Sequence, residues 1–337
     1  MKILVTGATG FLGGHAARNL LQDGHEVTGL GRNVTVGERL ERSGIRFVRA
    51  ELDDAEAIGR AIGAGFDAVI HCGAHSAAWG PEETFMAANV NGTTNVAEAC
   101  LRAGVSRLVH ISTPSLYFGA KARIGVREHD PLPAKPISAY ARTKRLAEQE
   151  VERVRRLGLD AIVLRPRALY GPGDLTILPR LIEANGRTGV PLIGGGEALI
   201  DLTYVDDAVR ALKLAAFAPA ELSVGARIYN ISGGVPIALA AAAELLFAKL
   251  GRPLRGKKLS FAAAYALASL MEGAARLRPS GGEPMLTRAL VGMLGSSQTL
   301  DIGAARSGLG YEPLVGIEEG LDRFVEWWNV REGERSR

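Results

Sequence analysis

The sequence is poor in cysteine: only Cys72 and Cys100 occur, with no Cys-x-x-Cys pair. That excludes a disulfide framework and points to a reducing compartment. Long apolar runs are also lacking. The uncharged stretches at 228–243 and 259–271 fall short of the ~18 residues that a spanning helix needs, so no integral membrane segment is expected. Charge of one sign barely prevails, since 40 basic and 36 acidic residues leave a net +4. The one basic cluster, Glu152-Arg153-Val154-Arg155-Arg156, carries acidic neighbours at helical spacing. It reads as a solvated helix face, and no nucleic-acid partner is expected. Met1-Lys2 runs at once into a glycine-rich turn, so a signal peptide is not expected and a cytoplasmic location is. His71 and His75 are four apart but flank a strand end and Gly73, which is not zinc geometry on a helix, and no metal is expected. Cys72 reads as a small packed side chain.

Glycine is abundant, with 42 among 337 residues, as expected where many short loops join strands to helices. Short apolar strands are predicted at 3–5, 26–30, 45–49, 68–71, 108–111 and 161–164. Helical spacing occupies 11–22, 56–62, 82–103 and 138–157, the first stopped by Gly24. Apolar strands alternating with helices imply a parallel sheet covered on both faces. The expected fold is therefore α/β, a Rossmann-type doubly wound sheet. A dinucleotide-binding domain is expected over 1–166. After Pro166 the pattern loosens, and 167–337 reads mainly as a smaller substrate-binding lobe interleaved with the first domain. Its alanine-rich helices are predicted at 238–250 and 261–277; the second reads first as a helix packed on the core, with a pocket cover or a membrane-surface contact as the other options. Trp327-Trp328 are expected to anchor the last helix.

Thr6-Gly7-Ala8-Thr9-Gly10-Phe11-Leu12-Gly13 follows the first strand and opens the first helix. In that context Gly7 permits a tight turn, Gly10 a close approach to a pyrophosphate, and Gly13 close helix–sheet packing. The helix N-terminus offers free N–H groups to the phosphates. The second strand ends Leu30-Gly31-Arg32-Asn33. An acid there would bind the ribose 2′-hydroxyl of NAD. Gly31 stands at the acid's position, and Arg32 could pair with a 2′-phosphate, which favours NADP with NAD as the alternative. The bland reading of Arg32 is an exposed surface arginine.

Tyr140-Ala141-Arg142-Thr143-Lys144 lies on a predicted helix, so Tyr140 and Lys144 share one face. Hydride transfer to a carbonyl needs a proton donor to the forming alkoxide, and the reverse needs a base. An ammonium beside a tyrosine stabilises the phenolate and brings its pKa toward working pH. Thr113, after the strand at 108–111, is a hydroxyl where ligands bind in open α/β sheets, and is able to hold the substrate oxygen near Tyr140. Ser112 is the alternative, and either could merely satisfy local backbone groups.

With these motifs in hand, the chain resembles the extended short-chain dehydrogenase/reductases, the NAD-dependent epimerase/dehydratase superfamily. TGATGFLG, Asn89-Val90-Asn91-Gly92-Thr93, ISTPSLY, YARTK and Arg165-Pro166 with Leu169-Tyr170-Gly171-Pro172-Gly173 carry the resemblance. It implies Thr113, Tyr140 and Lys144 as the catalytic set, with Lys144 also on the nicotinamide ribose. It implies Glu51-Leu52 at the adenine, Gly73-Ala74 and Asn89 as cofactor-lining, and Pro166 beside the nicotinamide. It further implies a homodimer formed by the helices at 82–103 and 138–157. Two branches compete. The nucleotide-sugar branch carries an arginine facing the sugar diphosphate. Here that position in Leu199-Ile200-Asp201-Leu202-Thr203-Tyr204-Val205 is Ile200, and an apolar side chain does not neutralise a buried diphosphate. Trp79-Gly80-Pro81, the stretch 284–294 and Gly310-Tyr311-Glu312-Pro313 look like the 3β-hydroxysteroid-dehydrogenase branch. The expected activity is hydride transfer between nicotinamide and the secondary alcohol or ketone of an apolar substrate, a β-hydroxy/β-keto acyl compound or a sterol-like ring. A nucleotide-sugar epimerase/dehydratase and a non-catalytic dinucleotide sensor are the rival readings.

Overall fold

A computed structural model describes residues 1–119, 121–219, 227–277 and 284–335. The first half alternates strictly: β1 (Lys2–Thr6), α1 (Phe11–Gln22), β2 (Glu26–Gly31), α2 (Val34–Arg42), β3 (Arg46–Arg49), α3 (Ala55–Ile62) and β4 (Ala68–His71). Helix α4 (Glu82–Phe85) then passes into a π-helical turn, Met86–Asn91, before α5 (Gly92–Ala103) and β5 (Arg107–Ile111). Strand β6 (Arg123–Val126), helix α6 (Ala139–Arg156), β7 (Ala161–Pro166) and β8 (Leu169–Tyr170) follow. The remainder comprises α7 (Leu178–Arg187), β9 (Val190–Ile193), β10 (Leu199–Ile200), β11 (Thr203–Tyr204), α8 (Val205–Phe217), β12 (Ile228–Ile231), β13 (Ile237–Ala238), α9 (Leu239–Lys249), β14 (Gly256–Leu259), α10 (Phe261–Arg276), α11 (Arg288–Gly295), β15 (Gln298–Leu300), α12 (Gly303–Leu309) and α13 (Ile317–Arg335).

The large sheet has seven strands in the order β12-β7-β5-β4-β1-β2-β3, all parallel. Its central strands are apolar on both faces, with Ile3, Leu4, Val5, Val69, Ile70, Leu108 and Val109 wholly buried. One helical layer, with α1 and α8, packs around Ala16, Leu20, Ala208 and Leu212; the other, with α3, α5 and α6, packs around Ile58, Val96, Ala97 and Val151. Chain order reverses between β1 and β4, so a crevice opens above the carboxyl ends of those strands, where ligands bind in such sheets.

A second sheet has four short strands in the order β13-β10-β15-β6. The two sheets interleave along the chain. Strand β6 precedes Pro166 yet lies in the small sheet, while β12 follows it and closes the edge of the large one. Helix α10 buries Ala264 and Ala268 against Ile193 and Val291 and leaves Leu267 and Leu270 exposed. Trp328 stacks on Phe324 and fixes α13 to the core. Among the described residues no helix is long and apolar enough to cross a membrane.

The expected helix 82–103 differs from the structure in one respect. Its middle is the π turn, which buries Asn89 completely. The Asn89 carboxamide accepts from the His75 amide at 2.7 Å and donates to the His75 carbonyl at 3.1 Å, clamping the loop after β4 onto the helix.

Candidate active site

The loop after β1 builds the floor of the crevice. Gly7 has φ +67°, and a Cβ there would meet the Gly73 amide nitrogen at 2.7 Å; one on Gly13 would meet the Gly7 carbonyl oxygen at 2.4 Å. Only glycine lets β1, α1 and the β4 loop approach so closely. Helix α1 starts at Gly10 with no side-chain cap, which leaves first-turn N–H groups for an anion. Unobstructed amides, a helix dipole and glycine surfaces fit a dinucleotide pyrophosphate.

A single cleft of about 2100 Å³ runs from this loop into the small lobe. It is lined by Gly7, Thr9, Gly10, Phe11, Leu12, Gly13, Arg32, Glu51, Leu52, Gly73, Ala74, Thr113, Tyr140, Lys144 and Pro166. All the expected site residues therefore meet in one place except Asn89, which does not reach the wall. The π turn points Asn89 into the protein, where it also donates to Thr143 Oγ1 at 3.0 Å. Arg32 and Glu51 face each other across the ends of β2 and β3, 3.5 Å apart and both exposed. Arg39 lines the same end.

At the other end, β5 and β7 are neighbours, with Ile111 opposite Leu164. Thr113 and Pro166 thus leave the sheet side by side, and α6 brings Tyr140 and Lys144 over them. Ser138 caps α6 by accepting from the Ala141 amide at 3.1 Å, which sets the helix start and with it the position of Tyr140. Burial raises the Tyr140 pKa above the ordinary phenol value, and a hydrogen bond with Thr113 opposes that. The expected lowering by Lys144 is not what the geometry gives. The Lys144 ammonium donates to the Ile111 carbonyl at 2.5 Å and to His110 Nε2 at 3.2 Å. Burial lowers its pKa to about 8, with Glu148 and Cys72 acting in the other direction. At neutral pH the site thus holds a protonated phenol and an ammonium.

Beneath Lys144 lie two buried histidines that sequence reasoning passed over as functional parts. His71 and His110 are fully buried, their rings tilted against each other with centres 5.2 Å apart. His71 hydrogen-bonds Thr6 Oγ1 at 2.7 Å and Thr93 Oγ1 at 3.1 Å, and burial and Lys144 take its pKa to about 3. His110 is likewise held well below the ordinary value by burial and by Lys144. An ammonium has no acceptor, so His110 must be neutral, accepting at Nε2 and carrying its proton on Nδ1.

Also unforeseen was a brace between α6 and β7. Arg165 makes two hydrogen bonds to the Glu148 carboxylate, at 2.8 and 2.5 Å, and stacks on Tyr117 with its guanidinium carbon 4.8 Å from the ring centre. Glu148 lies four residues beyond Lys144, as Lys144 does beyond Tyr140, and that inward-facing period was the available signal. Ile200 lines the cleft, as its position implied, and His75 and Cys72 line it too. Burial pushes the Cys72 thiol up to about 12, which leaves it unreactive at neutral pH.

Residues 3–232 match the description "NAD dependent epimerase/dehydratase family". The chain belongs to that family. It is 39% identical to a 2-alkyl-3-oxoalkanoate reductase of Stenotrophomonas maltophilia (strain K279a), over 96% of this chain and 98% of the relative. It is 28% identical to a decarboxylating sterol-4-alpha-carboxylate 3-dehydrogenase of Mus musculus, over 96% and 90%. Among solved structures, MoeE5 in complex with UDP-glucuronic acid and NAD superposes with a TM-score of 0.75 at 27% identity, covering 98% of this chain and all of that one. Family and relatives together make this protein an NAD(P)-dependent oxidoreductase acting on a hydroxy or keto group.

Proposed function

We propose that this protein is an NADP-linked reductase/dehydrogenase of apolar β-keto/β-hydroxy acyl compounds, with Tyr140 as the general acid/base. The carrying observation is one cleft in which the Thr113 and Tyr140 hydroxyls meet a surface that includes the apolar Ile200, Leu290, Met293 and Leu294. The two curated relatives support the substrate class. By their names they act on a keto or hydroxy group two carbons from a carboxylate.

A bound nicotinamide cofactor would supply or accept hydride. The chain's own residues do the rest. The first-turn amides of α1 hold the pyrophosphate, and Arg32, released from Glu51, pairs with a 2′-phosphate. Thr113 donates to the substrate oxygen. Tyr140, protonated at neutral pH, gives its proton to that oxygen in reduction and takes it back in oxidation. Lys144 keeps positive charge behind the phenol as it loses its proton. Ile200 argues against a sugar diphosphate in the same cleft. The reading carries with it a homodimer through α5 and α6 and a cytoplasmic setting.

The test is turnover by the purified protein. NADPH oxidation with 2-alkyl-3-oxo acids, or NADP reduction with the matching 3-hydroxy acids, is expected. Turnover of nucleotide sugars with neither of these would overturn the proposal.

A further inference from the structure

One arginine in the lobe half of the cleft has no counterpart in the chemistry so far. Arg167 is 4% exposed, yet its side chain forms part of the cleft wall. Its Nη2 donates to Gln298 Oε1 at 3.1 Å, and its guanidinium lies 4.5 Å from the centre of the Phe118 ring. Its Nε has no hydrogen-bond partner. An arginine does not shed its proton in a protein, so a buried guanidinium with an unpartnered N–H asks for an anion.

Among the described residues no carboxylate forms an ion pair with it. The charge that acts on it is that of buried Asp201, whose Oδ2 accepts from the Leu300 amide at 2.7 Å and whose Oδ1 has no hydrogen-bond partner. The guanidinium itself is held by Gln298 and the Phe118 ring. Gln298 is itself anchored, donating to the Gly292 carbonyl at 3.2 Å, and the Arg167 amide donates to the Ile231 carbonyl at 2.9 Å. The next residue, Ala168, has φ +42° and is the one non-glycine residue with positive φ among the described residues. Such backbone persists only where the surroundings enforce it, and it recurs at ligand sites.

Position completes the argument. Arg167 follows Pro166 at the carboxyl end of β7, and Thr113 leaves the carboxyl end of β5, its neighbour in the sheet. Adjacent strands lie ~4.8 Å apart. In a 3-oxo acid the carboxyl carbon is two bonds from the carbonyl carbon, so one small molecule spans both residues. We infer that Arg167 is a carboxylate-binding residue of the substrate pocket, its guanidinium receiving the acid group of a 3-oxo or 3-hydroxy acid whose oxygen lies at Tyr140. Phe118 and Gln298 orient the guanidinium, and the apolar Ile200, Leu290, Met293 and Leu294 take the 2-alkyl chain. This rests on the hydroxy/keto reading above and adds that the free acid, not an ester or a thioester, is the substrate.

The experiment uses the stable direction, because 3-oxo acids lose carbon dioxide on standing. A 2-alkyl-3-hydroxy acid and its methyl ester are oxidised with NADP by the wild type, Arg167→Met and Arg167→Lys. The wild type is expected to prefer the acid in kcat/KM by on the order of 100-fold, chiefly through KM. In Arg167→Met that preference falls to near unity; Arg167→Lys, which keeps the charge but not the fork, retains a fraction of it. A wild type that turns over acid and ester alike overturns the inference. So does an Arg167→Met protein that loses both equally, since that marks a structural cation. If Arg167→Met does not fold, the wild-type ratio and the lysine variant decide. If the wild type oxidises neither compound, the proposed function fails, and calorimetric binding of a saturated 2-alkyl carboxylic acid then judges the subsite alone. Binding lost in Arg167→Met upholds it, and equal binding overturns it.

Discussion

The buried histidines make the fold acid-sensitive in a way that one substitution exposes. His71 is neutral in the native protein, with a pKa near 3 against 6.5 when solvated. Between those values the unfolded chain binds a proton that the native chain refuses. The stabilisation is therefore complete above pH 6.5 and drains away as pH falls toward 3. Integrating that difference from pH 7 to pH 5 gives a loss of roughly 2 kcal/mol from His71 alone. His110 acts in the same direction. In His71→Asn the carboxamide retains a hydrogen bond to Thr6 but does not titrate. Whatever the substitution itself costs is present at both pH values and cancels in the comparison. Urea unfolding at pH 7 and pH 5 measures both proteins. The wild type should lose about 2 kcal/mol more than the variant between the two, with about one extra proton taken up on unfolding at pH 5. Equal losses would show that His71 is not held neutral, and the account of the layer beneath Lys144 would fall.

Three further outcomes are expected. Tyr140→Phe should lower kcat by about 10²–10⁴, the contribution typical of a positioned acid/base, while cofactor binding measured by fluorescence persists; unchanged turnover removes Tyr140 from the chemistry. Arg32→Ala should erase a preference for NADPH over NADH in titrations of the purified protein, and no preference in the wild type would return Arg32 to the surface. Glu148→Gln leaves Arg165 buried without its counter-charge and should cost about 3–5 kcal/mol in urea unfolding. It also withdraws the charge that holds the Lys144 pKa up, so the alkaline fall of reductase activity, expected near pH 8, should move to lower pH.

Legibility in the sequence followed the range of the interactions. Strands β1 to β5 and β7 were readable because each is a short apolar run between turn residues, and α1 because Gly10 and Gly24 bound its spacing. Helix α2 was overlooked, although Asn33 caps it by accepting from the Val36 amide at 3.1 Å; its polar sequence hid it. The π turn was invisible because the period of 82–103 is nearly helical throughout. The small sheet was invisible for a different reason. Its strands are two to four residues long and pair residues as distant as Arg123 and Gln298, so no local pattern announces them. The Tyr140, Lys144 and Thr113 motif was legible as residue types, but the partners of Lys144 were not. They are the Ile111 carbonyl and His110, which the alternation of β5 turns inward.

The crossing of the chain between the two sheets has a consequence for how the protein is made. Strand β7 ends at Pro166, but its outer neighbour β12 begins only at Ile228. On the ribosome the large sheet therefore emerges with an open, apolar edge, and at synthesis rates of about 5–20 residues per second that edge waits on the order of several seconds for its partner. A bare strand edge is a template for pairing with other chains. The nascent protein is thus most vulnerable to misassembly after the Tyr140 and Lys144 helix has been built and before β12 arrives. Slowing translation within 167–227 should raise the aggregated fraction, and slowing it after Ile231 should not.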